Sequence, residues 1–160
     1  MVKEDSDDLN YFDQKYATWR VITKDITFAG STTNAIGDYD GTGDPFNIFT
    51  VTGNVIVKII GVCTTDVTSS TGTAHVSVGT TAHITGVLPS VTASGLATNE
   101  IWHDVSPDSG IEASSVLSEK IIANGADIIG TVTLENATAG VIKFICLWKP
   151  ISLDGNVVAA

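Results

Sequence analysis

The segment Gly140–Pro150, GVIKFICLWKP, alternates without a break, with Ile142, Phe144, Cys146 and Trp148 on one parity and Val141, Lys143, Ile145, Leu147 and Lys149 on the other. A period of two sustained over such a length marks a β-strand and excludes an amphipathic helix. Shorter runs of the same kind recur upstream and are separated by Gly, Pro, Asn, Asp and Ser. WRVITKDITF places Ile22, Ile26 and Phe28 on one face, and Ala74, Val76 and Val78 alternate with His75 and Ser77. FNIFTVTG and NVIVKIIGVCTT are two β-branched runs broken near Gly53, and EIWHDV and VLSEKII are shorter ones. These features predict about eight strands joined by turns and no convincing helix, hence an all-β, antiparallel β-sandwich. Eight strands favour a jelly-roll order over an immunoglobulin-like one.

Two parts of this pattern carry further expectations. IIGTVTLE and GVIKFICLWKP are read as a hairpin turned at Asn136–Ala139, and TAHITGVLPSVTASGLATNE as loop with one short strand, because Gly and Pro interrupt it. The run Val55–Cys63 is apolar on both parities: Val55, Val57, Ile59 and Cys63 on one, Ile56, Ile60 and Val62 on the other. One face then fits the sandwich core and the second a subunit contact. A homo-oligomer, a trimer by preference, is the expectation. Cys63 and Cys146 both lie inside apolar runs and are read as small buried hydrophobes.

Residues 1–16, MVKEDSDDLNYFDQKY, differ from the rest. Five acids (Glu4, Asp5, Asp7, Asp8, Asp13) and two lysines surround Tyr11, Phe12 and Tyr16. This is an acidic N-terminal arm preceding a β-sandwich domain over 17–160. Its aromatics are candidate partner anchors, as are Val157 and Val158 in the apolar tail. The arm lacks the apolar core of a signal peptide, and no apolar run reaches the length of a bilayer span, so a soluble chain folded in a cytoplasm is expected. With 18 Asp and Glu against 8 Lys and Arg, net charge −10, the chain repels phosphate backbones and anionic lipid. Neither nucleic acid nor membrane is an expected partner.

Chemistry is sparse. GDYDGTGDP, residues 37–45, gathers Asp38, Asp40 and Asp44 among three glycines, and Asp38-x-Asp40-x-Thr42-Gly43 has the alternation that opens a calcium loop. Counted from Asp38, however, the twelfth position, which should hold a bidentate Glu, is Phe49. The stretch therefore reads first as a run of turns and only second as a calcium site. His103 with Asp104 and Asp108 has the look of a base and an orienting carboxylate, yet no nucleophile elbow accompanies it, and self-capped turns are the simpler reading. No C-x-x-C, no His-x-His and no phosphate-binding glycine loop occurs. No enzyme and no cofactor are expected.

Trp148–Ala160 (WKPISLDGNVVAA), with EIWHD from Glu100 and SVLSEKII from Ser115, resembles a group of small proteins encoded near the capsid genes of tailed bacteriophages. The resemblance spans Trp19–Ala160 and departs from the family at Ile151, where Leu is the usual residue. It implies a virion component on the capsid surface, such as a decoration (cement) protein that sits as a trimeric β-sandwich on the major capsid protein. It carries over no catalytic residue. The alternatives are another virion piece, such as a head fibre, tail or receptor-binding part, and a glycan-binding sandwich using exposed Trp and Tyr.

Overall fold

The computed structural model describes residues 17–110 and 117–160. Among these, ten strands form two antiparallel sheets of five: β1 (Arg20–Thr27), β2 (Phe46–Thr52), β3 (Val55–Ser69), β4 (His75–Thr80), β5 (His83–Thr92), β6 (Ile101–Trp102), β7 (Lys120–Ile122), β8 (Ile128–Thr133), β9 (Ala137–Pro150) and β10 (Asn156–Ala159). In sheet A the order is β1-β9-β3-β6, with β7 also on β3. In sheet B it is β10-β2-β8-β4-β5. The chain is an all-β, two-layer sandwich, as the alternation predicts.

The pairings nest. β4 pairs with β5, β3 with β6 and β7, β2 with β8, and β1 with β9, like the rungs of one long hairpin whose tip lies between Thr80 and His83. Two further pairings, β3 with β9 and β4 with β8, close that folded ribbon into two layers. β10 then adds to β2, setting Val157 opposite Val51.

The core is built from the inward parity of each strand. Burial alternates strictly from Gly140 to the end of β9 and through the first half of β3, so Ile142, Phe144, Cys146 and Trp148 face Val55, Val57, Ile59 and Cys63 on the inner side. Trp102 and Phe144 meet at 6.2 Å between ring centroids, and Phe28 meets Phe46 edge-on at 5.8 Å. Cys63 and Cys146 are free and buried on adjacent strands, but in register they face Ile142 and Ile59, four residues apart along the ladder. Burial pushes both thiols up to about 12, Cys63 with further help from the charges of Glu100 and Asp66.

Several expectations need correction. β8 and β9 are consecutive yet do not form a hairpin: β8 lies in sheet B and β9 in sheet A. Leu134, at φ 71, turns the three-residue link into a corner between layers, which lets each strand bury its own apolar face. Gly53, at φ 63, makes the corresponding corner between β2 and β3. The segment read as mostly loop is the ten-residue β5. Pro89 is tolerated because β5 is the edge of sheet B, where a missing N–H removes no ladder bond on the open side. Register shifts between β4 and β5 absorb the irregularity of its glycine-containing half.

Candidate functional site

Sheet A has an outward face of unusual composition. Along β3 it shows Ile56, Lys58, Ile60 and Val62. Along β9 it shows Val141, Lys143, Ile145, Leu147 and Lys149, all half-buried. The ladder aligns them in rows: Ile121–Ile56–Lys149, Lys58–Leu147–Val21, Ile60–Ile145–Thr23 and Val62–Lys143–Asp25. Val21 and Ile121 are the most open, at 64% and 70% exposure. The second parity of Val55–Cys63 is thus an external apolar surface, not a second core.

Charge is partitioned between the layers. All six Lys and Arg among the described residues stand on strands of sheet A: Arg20, Lys24, Lys58, Lys120, Lys143 and Lys149. The strands of sheet B carry no Asp, Glu, Lys or Arg. Lys58, Lys143 and Lys149 share the outward parity with the apolar residues, whereas Arg20, Lys24 and Lys120 have the core-facing parity, opposite Trp148, Phe144 and Val57. At the upper end of the outward face Trp19 lies between Lys58 and Lys149, whose ammonium groups sit 4.7 and 4.9 Å from its ring centroid. Lys58 also pairs with Glu119 at 3.0 Å, and Arg20 covers Trp148 at 4.8 Å.

The three aspartates of the 37–45 loop do not converge. Asp38, 6% exposed, accepts the Asn34 N–H at 2.7 Å; Asp40 is exposed; Asp44 accepts the Val132 N–H of β8 at 2.7 Å. The loop descends as a staircase of turns, with Ala35 N–H donating to Thr32, Asp38 to Ala35, Gly41 to Asp38 and Asp44 to Gly41. Its base is tied to β9 where Ala137 N–H donates to the Gly37 carbonyl, at φ 103. The Asp38 and Asp44 carboxylates organise backbone, and burial raises Asp44 to about 6 despite its hydrogen bond from Val132. Among the described residues no three His, Cys, Asp or Glu side chains group as a metal site.

The histidine constellation is likewise local. Asp104 accepts the Ser106 N–H at 2.7 Å and Asp108 the Gly110 N–H at 3.2 Å, while Ile101 and Asp108 bridge through their backbones. His75 contacts the Ser90 hydroxyl at 3.3 Å. Two clefts, about 190 Å³ beside His83 and Lys120 and about 270 Å³ beside Asp66 and Ser69, are below the roughly 300–1,000 Å³ usual for ligand pockets.

Tyr11, Phe12 and Tyr16 lie outside the described residues. Val157 is buried at 2% exposure in the chain's own core, because β10 joins sheet B, whereas Val158 remains 44% exposed. Sequence reasoning found the second apolar parity of β3 but not the lysines flanking it, which come from β9 and become neighbours only through strand pairing. No helix among the described residues is long and apolar enough to cross a membrane. Comparison with protein-family models, characterised proteins and solved structures finds no match.

Proposed function

We propose that this chain is a non-catalytic virion protein of the capsid-decoration type, a jelly roll that self-associates and binds the major capsid protein at the shell exterior. The outer face of sheet A carries the reading. A single sandwich needs one apolar side per sheet, and this sheet has two. Such a surplus marks a surface meant for another protein. The jelly-roll assignment is supported by the nested pairings, which follow the folded-hairpin logic of two Greek keys.

Magnitudes favour repeated copies over single ones. Removing the remaining exposure of Val21, Ile121 and their half-buried neighbours is worth roughly 4–7 kcal/mol at about 1.5–3 kcal/mol per fully buried side chain. Association costs roughly 4–15 kcal/mol. One copy therefore binds weakly through this face, and a trimer that engages several sites gains by avidity. The glycan reading is less well served, since Trp102 and Trp148 are core residues at 0% and 4% exposure.

The test is co-sedimentation with shells assembled from the major capsid protein of the same genome. We expect the chain to pellet with shells and Leu147→Asp, an outward position, to fold normally but stay in the supernatant. A wild-type chain that never pellets with shells, at any ratio, overturns the proposal.

A further inference from the structure

We propose that the cleft between β5 and β7 is a binding site for a small amphipathic carboxylate, whose charge pairs with Lys120 and whose apolar tail enters between the layers. Two elements from different sheets meet there: the tip of the β4–β5 hairpin, from sheet B, and β7, from sheet A. Thr80, His83 and Lys120 supply the polar lining, and Val87, Ile121 and Ile122 the apolar one. Val87 and Ile122 belong to the core, so the apolar wall is held in place by the sandwich itself. Gly86 leaves room at the mouth, where even a Cβ would approach the His83 Cβ to 3.1 Å.

Lys120 gives the cleft its chemistry. Of the three cations with core-facing parity, Arg20 covers Trp148 and Lys24 donates to the Ala160 carbonyl. Lys120, half-buried and opposite Val57 in register, has neither an ion pair nor a side-chain hydrogen bond among the described residues. An ammonium partly withdrawn from water without a counter-charge is unfavourable. A bound carboxylate relieves that cost, and the His83 ring and the Thr80 hydroxyl can donate to it as well. An inward lysine on an edge strand also guards against strand addition, but that role needs no cleft beside it. The lining then selects among anions. Inorganic phosphate gains nothing from Val87 and Ile122, whereas an apolar tail does. Volume sets the size: about 190 Å³ equals about six water volumes at roughly 30 Å³ each, enough for a tail of about five carbons.

The inference does not rest on the virion reading, and its test uses the isolated full-length chain. Hexanoate is titrated while backbone amide shifts are followed by NMR, with hexanamide as the uncharged probe and acetate as the charged probe without a tail. We expect hexanoate to saturate at roughly millimolar concentration, as suits a site with few contacts, with shifts confined to residues 80–87 and 120–122. Hexanamide and acetate should each bind several-fold more weakly. Lys120→Met keeps the apolar stem and should reduce hexanoate affinity several-fold, to the level of hexanamide. Lys24→Met removes a cation elsewhere and should leave it unchanged, which separates a local ion pair from a general loss of positive charge. No saturable shift, equal affinity for hexanoate and either of the other probes, shifts spread over the outer face of sheet A, or a folded Lys120→Met chain that binds as wild type would each overturn the proposal.

Discussion

Gly130 is the point at which the packing of sheet B is most easily tested. It lies opposite Phe46 in the β2–β8 register, and a Cβ built there falls inside the van der Waals radii of Phe46 Cζ and Cε2 and 3.1 Å from Cδ2. The ring cannot swing freely. Phe28 holds it edge-on at an interplanar angle of 85°, and the residue two before it, Asp44, is fastened to Val132 of the same strand as Gly130. Gly130→Ala is therefore an overpacking change expected to cost about 2 kcal/mol, within the roughly 1–3 kcal/mol usual for such insertions. For a chain of this length that lowers Tm by about 4–8 °C. Phe46→Ala alone should cost about 3–5 kcal/mol by opening a cavity. In the double variant the alanine methyl enters that cavity, so the combined loss should fall short of the sum by about 1–2 kcal/mol. Urea unfolding followed by fluorescence and far-UV circular dichroism, repeated at several protein concentrations to remove oligomer linkage, measures all three. Additivity within about 0.5 kcal/mol, or a Gly130→Ala chain as stable as wild type, would refute the packing argument.

Two pH effects follow from single carboxylates, with opposite signs. Partial burial works against ionised Glu135, but it accepts bonds from both the N–H and O–H groups of Thr71 and Thr73, at 2.6–3.1 Å, and these hold its carboxyl down to about 2. Its contribution is present above the unfolded value near 4.5 and is lost as pH falls toward 2, so Glu135→Gln should lower Tm at pH 6 and match wild type near pH 2. Asp44 is raised to about 6 by burial, so its ionisation weakens the fold as pH climbs from 3.8 toward 6. Asp44→Asn, which keeps an acceptor for Val132, should melt above wild type at pH 7 and level with it below pH 4; a uniform offset at both pH values would contradict the assignment.

Layer architecture was legible in the sequence because alternation is a local property. Ile142, Phe144, Cys146 and Trp148 declare their shared face without any partner, and β3 declares two apolar parities. Partnership was not legible. Whether β8 turns back on β9 or crosses to the other layer depends on one corner residue, Leu134, whose positive φ is not a preference of leucine. β5 was obscured for a related reason, since Pro89 argues against a strand only until the strand is known to be an edge. The outer face of sheet A combines both cases: its apolar half was visible in Ile56, Ile60 and Val62, while Lys143 and Lys149 joined it only through the ladder.

The edges explain why association of such a sandwich should go through a face. An open strand edge invites another chain to add to the sheet, and each of the four edges here is guarded differently. β1 places Arg20, Lys24 and Asp25 along its length, and Lys24 donates to the terminal carbonyl of Ala160, bridging toward β10 on the other layer. β10 has four residues, β6 two and β7 three, too short to template a long partner strand. β5 has Pro89 and the irregular register described above. Strand addition is thereby disfavoured on every side. What stays open is the outer face of sheet A, apolar and carrying Lys58, Lys143 and Lys149, because the central strands of sheet B, β4 and β8, are buried on both parities. That face combines apolar area to bury with charge to fix orientation.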